Sequence, residues 1–307
     1  MSTNAFSAKR GPTSGLGGAY AAFALLGLVW GSNFVFTKWA AALISPAQIV
    51  LLRVIFGFLP LLVVALATRS LSWRDWRHAH HFLVMSVLAM AFYYFAFAEG
   101  TALLLSSVAG MLSGAVPIFT FITALAILRE EPINARTIGG TVLGFLGVLL
   151  IARPWNHDVA SANLAGVFWM IAGSFSLGFS FVYARKFVSP LKLMPLALTT
   201  YQIGLALAIL ALTTPFRGIT AVFGDGRASM GLVIGLGLCG TGLAYILYYR
   251  IVGRLGAIAA SGVTYLPPIV ALVIGAALVG EPVRGLDLVG MAAILAGVAV
   301  LQWGRSK

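Results

Sequence analysis

Charge is what this sequence has least of. Of 307 residues, 20 are Lys or Arg and 8 are Asp or Glu, 9% in all, against about 25% in a soluble domain. Hydrophobic residues make up 60% and the mean hydropathy is +0.99. So few polar side chains cannot cover a fold of this size in water, which counts against a soluble enzyme, a disordered chain and a fibrous protein. The single cysteine, Cys239, excludes an internal disulfide framework and any Cys-based metal site. None of the lysines follows a glycine, so the Gly-Lys-Ser/Thr of a phosphate-binding loop is missing. His-Glu-x-x-His is missing as well. Any active transport by this chain alone must draw on a gradient.

What is present is long apolar runs. A bilayer core of about 30 Å needs roughly 20 mainly apolar residues per helix. Ten segments qualify: Leu16–Thr37, Pro46–Ala67, His81–Leu103, Leu105–Leu128, Thr137–Ile151, Asn163–Ala184, Met194–Thr213, Met230–Tyr249, Gly256–Val279 and Leu286–Trp303. The fifth is short and is expected to borrow residues from Ile133 onward. The first resembles a signal peptide in its leading Lys9 and Arg10, but its apolar run is long for that role. The alternating ten-residue strands of a membrane barrel are not seen. The expected fold is all-α, a polytopic membrane protein of ten transmembrane helices.

The net charge of +12 raises nucleic acid as a partner, but that reading needs clustered basic residues. They are instead spread over the connections. With the N-terminus inside, the inner segments hold 14 Lys and Arg and the outer ones only Lys38, Arg153, Arg217, Arg227 and Arg284. The positive-inside rule then places both termini in the cytoplasm, in a cytoplasmic membrane. The expected partners are the bilayer and a small-molecule substrate, with no nucleic acid.

A shift of 150 residues superposes Pro117 on Pro267, Glu131-Pro132 on Glu281-Pro282, Gly140 on Gly290 and Gly147-Val148 on Gly297-Val298. A shift of 147 superposes Gly31–Val35 on Gly178–Val182. The chain thus divides into two five-span repeats, 1–153 and 154–307. Five is odd, so the second copy is expected to be inverted, an architecture recurrent in secondary transporters. A duplicated scaffold without transport is the plainer alternative.

These residues carry a resemblance. Trp30-Gly31-Ser32-Asn33-Phe34 in span 1, Arg53 in span 2, and Gly280-Glu281-Pro282 followed by Gly290 and Gly297 resemble the ten-span drug/metabolite transporter superfamily, EamA type. In the first half Glu130-Glu131-Pro132 stands where Gly-Glu-Pro would. Within the superfamily the chain looks like the YddG-type aromatic amino-acid exporters. The resemblance implies export from the cytoplasm.

Polar residues form stripes at helical spacing: Trp30, Asn33 and Thr37 in span 1; Ser106, Gly110, Ser113, Pro117 and Thr120 in span 4; Gly173, Ser176 and Ser180 in span 6; Ser261, Thr264 and Pro268 in span 9. Small and hydroxyl residues also glue membrane helices together, the preferred reading for the glycines of spans 5 and 10. Mid-span Pro117 and Pro267 each free a backbone carbonyl, as hinges or as static kinks. Aromatics cluster in spans 3 and 8, and Tyr93, Phe97 and Tyr245, with Trp30 and Trp169, are candidate pocket walls. Asn33, Ser113, Ser176, Ser180 and Thr264 are the candidate polar contacts.

Arg53 and Glu99 are intramembrane charges, by default functional. Their similar depths allow a pair if spans 2 and 3 adjoin; outward snorkelling is the other reading. His78, His80 and His81 fit a cytoplasmic headgroup loop better than a metal site, and no cofactor is implied. Spans 1, 4, 6 and 9 contain no acid to attract a cationic drug, and few cations to attract a phosphate. The expected solute is neutral or zwitterionic, an amino acid or related metabolite, carried by alternating access in a cavity between the repeats. A multidrug or other metabolite exporter is the runner-up, and a polytopic membrane enzyme or a passive channel the readings from other classes. A proton gradient is a candidate drive, and monomer and homo-oligomer both fit.

Overall fold

The computed structural model describes residues 14–128, 133–153, 161–255 and 262–305. The readings placed on Glu130, Glu131, Pro132, Ser261, Lys9 and Arg10 lie outside these residues. The described residues form helices without strands, in the order α1 (Ser14–Ala41), α2 (Pro46–Ala67), α3 (Trp73–Leu103), α4 (Ser106–Ile127), α5 (Ala135–Ala152), α6 (Ser161–Tyr183), α7 (Pro195–Thr213), α8 (Gly226–Tyr248), α9 (Val263–Val279) and α10 (Gly285–Arg305). Eight are long and apolar enough to cross a bilayer, and the two shorter apolar helices, in α9 and α10, complete the expected ten.

Local chemistry sets the ends. Ser45 caps α2 in a reciprocal box with Gln48, and Pro46 occupies the first turn, where its missing N–H costs nothing. The Gln48 side chain then donates to the Pro215 and Arg217 carbonyls at 2.8 and 2.9 Å, fastening α2 to the segment after α7. Asn134 caps α5 through the Arg136 and Thr137 amides. Its Nδ2 donates to the Gly304 carbonyl at the far end of α10, at 2.9 Å.

Helices α5 and α10 run antiparallel along a glycine seam. A Cβ built on Gly140 would sit 2.5 Å from the Gly297 carbonyl oxygen, and one on Gly147 would sit 2.5 Å from that of Gly290. The glycines of spans 5 and 10 therefore pack against each other within one chain. At the other end of the seam Arg153, in a left-handed conformation that stops α5, pairs with buried Asp287 in the first turn of α10. Ile138, Val142, Leu146 and Leu149, on the opposite face of α5, are exposed. Such a surface suits hydrocarbon.

The main core joins Phe34 of α1, Ala109, Met111 and Ile118 of α4, Met170 of α6, Ala271 of α9 and Ile294 of α10. A second core joins α2, α3 and α7 through Val54, Leu61, Met90, Tyr94 and Ile203. Where α2 meets α8, Gly57 lies against Thr241 and Gly237 against Phe56, so the two backbones approach closely. Residues Gly231–Leu243 of α8 are wound as a π-helix. The Thr241 hydroxyl donates to the Leu236 carbonyl five residues back, at 3.0 Å.

Candidate substrate-binding site

Arg53 lies seven residues beyond the start of α2, about 10 Å into the helix at 1.5 Å per residue. A cation at that depth is costly unless partnered. Its Nε donates to Thr241 Oγ1 at 3.0 Å and its Nη2 to the Gly240 carbonyl at 3.3 Å, both in the π-wound part of α8. Asn33 on α1 satisfies both ends of its amide when its oxygen accepts from Arg53 Nη2 at 3.2 Å and its nitrogen donates to the Val29 carbonyl at 3.0 Å. The Tyr94 ring on α3 lies beneath the guanidinium, 3.9 Å from Cζ to centroid, a cation–π contact. Helices α1, α2, α3 and α8 thus meet on one charged group.

The Arg53–Glu99 pair allowed by depth does not form. Helices α2 and α3 do adjoin, but Arg53 spends its donors on α8 and α1, and Arg153–Asp287 is the only ion pair among the described residues. Glu99 is half-buried on α3.

From Tyr94 an aromatic ladder runs along α3 to α1. Tyr94 to Tyr93 is 5.0 Å between centroids, Tyr93 to Phe97 is 4.6 Å edge-on, and Phe97 to Phe34 is 6.1 Å. Gly173 on α6 lets the Phe97 ring lie close against that backbone. Tyr245 packs on the same core as Tyr93 and donates its hydroxyl to Met90 Sδ at 3.4 Å. Asn33, Arg53, Tyr93, Phe97 and Tyr245 are therefore gathered around one region.

Other candidates stand elsewhere. Trp30 packs with Tyr248, 6.2 Å between centroids, in a separate cluster with Leu26, Ala244 and Val263. Trp169 meets Phe95 edge-on at 5.6 Å. Ser176 donates to the Leu88 carbonyl at 2.7 Å, joining α6 to α3. Ser113 and Ser180 turn back onto their own helices, to Gly110 and Leu177. Thr264 is half-buried in the 3-10 turn Gly262–Tyr265. Pro117 and Pro267 occupy matching places: each lies in the first turn of an α segment (Val116–Ile127, Leu266–Ile274) that follows a 3-10 turn. The turn lies in mid-course of α4, whereas in α9 it opens the described helix.

A second polar constellation lies at the junction of α3 and α4. Lys38 donates to the Ala102 and Leu104 carbonyls, at 2.8 and 2.6 Å. Glu281, after the left-handed Gly280 that ends α9, accepts from the amides of Ser106 and Ser107, both at 2.8 Å, and from the Ser106 hydroxyl at 2.7 Å. One charge thus caps the end of α3 and the other the start of α4, as their helix dipoles favour. Thr241, Tyr94, Lys38 and the Glu281–Ser106 contact were outside the residues selected from sequence. A Glu-Pro following a glycine stop and a Ser-Ser opening a span were the available signals for the last.

The ten apolar helices of the described residues, with a polar cluster at membrane depth, define a polytopic membrane protein, and the comparisons with known proteins give its class. The model of the EamA-like transporter family matches residues 17–153 and 164–303. The chain belongs to that family and is a multi-pass membrane transporter of the drug/metabolite superfamily. It is similar to an uncharacterized transporter of Archaeoglobus fulgidus, with 24% identity over 89% of this chain and 94% of the relative. It is also similar to the uncharacterized transporter YcxC of Bacillus subtilis, with 27% identity over 91% of both chains. The uncharacterized inner membrane transporter YedA of Escherichia coli shares 24% identity over 65% of this chain and 63% of its own. A solved crystal structure shares the fold, with TM-score 0.62 and 18% identity over 94% of this chain and 98% of that one.

Proposed function

We propose that this protein is a secondary transporter that exports small neutral or zwitterionic metabolites, above all amino acids with aromatic or other hydrophobic side chains. It works by alternating access between two inverted five-helix repeats, 1–153 and 154–307, in a cytoplasmic membrane with both termini inside. The observation that carries this reading is the Arg53 cluster. Asn33, Arg53 and Tyr94 come from the first half, Gly240 and Thr241 from the second, and they meet at membrane depth beside the Tyr93–Phe97 ladder. A polar group flanked by aromatic walls fits a solute with one charged end and one apolar end. The antiparallel pairing of α5 with its repeat mate α10 supports inversion, and the 3-10 turns just before Pro117 and Pro267 are the candidate places for the halves to flex. A cationic cluster disfavours cationic drugs as cargo.

The test is uptake of a radiolabelled amino-acid panel into proteoliposomes, with and without a pH gradient. Aromatic and large aliphatic amino acids should enter above protein-free vesicles, and a gradient-dependent rate would make the proton the coupling ion. Equal, background-level signals across the aromatic amino acids reject the assignment.

A further inference from the structure

Arg53 has five N–H donors and no counter-charge among the described residues. Nε–H and both hydrogens of Nη2 are taken by Thr241, Gly240 and Asn33, all neutral. Nη1 donates to no described residue. Among the described residues the buried polar side-chain atoms without a partner are Arg153 Nε, Ser174 Oγ, Gln202 Nε2 and Thr214 Oγ1. Nη1 of Arg53 is not one of these enclosed atoms, and the Arg53 side chain is partly exposed. A guanidinium fixed on one side, stacked on an aromatic face and free on the other is preorganised for an anion.

We propose that Arg53 Nη1 binds the carboxylate of the transported solute and that the solute's amino group is dispensable, so that the substrate class is apolar monocarboxylates, of which amino acids are a part. This rests on the transport reading above and narrows it. A carboxylate placed on Nη1 supplies the missing negative charge at a depth where a lone cation is unfavourable. The apolar remainder then lies along Tyr93 and Phe97, the half-buried rings beyond Tyr94. No described carboxylate pairs with Arg53 or with another group of the cluster, so an ammonium gains nothing there comparable to the charge-assisted bond its carboxylate gains. Charge therefore orients the ligand, and only one of its two charges is recognised.

The test uses three probes that differ by one group: phenylalanine, 3-phenylpropionate (no amine) and phenethylamine (no carboxylate). Binding is read as ligand-induced thermal stabilisation of the purified full chain, wild type and Arg53→Gln, and transport as proteoliposome uptake. Wild type should bind the two carboxylates within a few-fold of each other and the amine about 10- to 100-fold more weakly, the worth of one charged hydrogen bond. Arg53→Gln should erase that preference, and Arg53→Lys, which keeps the charge but not the planar fork, should retain part of it. Should Arg53→Gln unfold, the wild-type ranking alone decides. Amine binding equal to or tighter than carboxylate binding overturns the proposal while leaving the transport reading intact, as does an unchanged preference in a folded Arg53→Gln. Carboxylate binding without transport overturns the transport reading and leaves the site. Binding of no probe overturns both.

Discussion

The Glu281 carboxylate holds the start of α4 through Ser106, accepting from its amide at 2.8 Å and its hydroxyl at 2.7 Å. Burial alone pushes the Glu281 carboxyl up, but hydrogen bonds from Ser107 and Ser106 outweigh it and hold the group below its ordinary value. A lowered folded value means that the stabilisation is present above the unfolded pKa and is lost as pH falls through the folded one. Lys38, the neighbouring cation, adds attraction to the ionised form. Acidification below about pH 4 should therefore lower the melting temperature of wild type more than that of Glu281→Gln. At neutral pH Glu281→Gln should cost about 1 kcal/mol, the usual worth of a lost cap. Circular dichroism melts in detergent at several pH values measure both.

The glycine seam gives a sharper contrast. Alanine at Gly140 or Gly147 would meet the backbone of α10, which cannot rotate away. Each should destabilise by about 1–3 kcal/mol, the range for overpacking. Alanine at adjacent Gly139, with nothing within 4 Å, should be neutral or slightly stabilising, because it raises helix propensity. A melt series on the three variants decides it, and equal effects would contradict the seam.

Arg153 and Asp287 form a pair whose side chains are 10% and 6% exposed. Removing one partner leaves a buried charge, so Asp287→Asn should cost about 3–5 kcal/mol. Arg153→Met combined with Asp287→Leu should recover much of that loss, since a buried ion pair is exchangeable for well-packed apolar groups. A double-mutant cycle in thermal stability gives the coupling.

Two aromatic candidates from sequence are distinguished by position. Tyr93→Ala opens the ladder next to Tyr94 and Phe97 and should lower transport about tenfold or more, about 1.4 kcal/mol in binding. Trp169→Ala, packed on Phe95 and Phe168, should change it less than threefold. Initial uptake rates normalised to incorporated protein make the comparison.

The spans were legible because membrane depth is written in residue type: α2 begins and ends at Pro46 and Ala67 as expected. The interruption of α4 was legible because proline cannot donate at Pro117. The direction in which Arg53 points was not. Depth along a helix follows from counting residues, whereas azimuth depends on which neighbour packs where. The π-winding of Gly231–Leu243 also defeats a 3.6-residue count, which sets Thr241 on a face with Tyr245 and Tyr248 and says nothing of Arg53. Trp30 shares a face with Asn33 by spacing, yet its ring reaches Tyr248, because a large side chain can leave the stripe its Cα defines.

Counterflow tests the central claim, a carrier whose site is the Arg53-centred cluster, most directly. Proteoliposomes preloaded with unlabelled phenylalanine are diluted into trace radiolabelled phenylalanine. The account predicts a transient overshoot in wild type that is abolished in both Asn33→Ala and Tyr93→Ala at equal incorporation. An overshoot unchanged in both variants would contradict the site, and monotonic equilibration without overshoot in wild type would contradict the carrier.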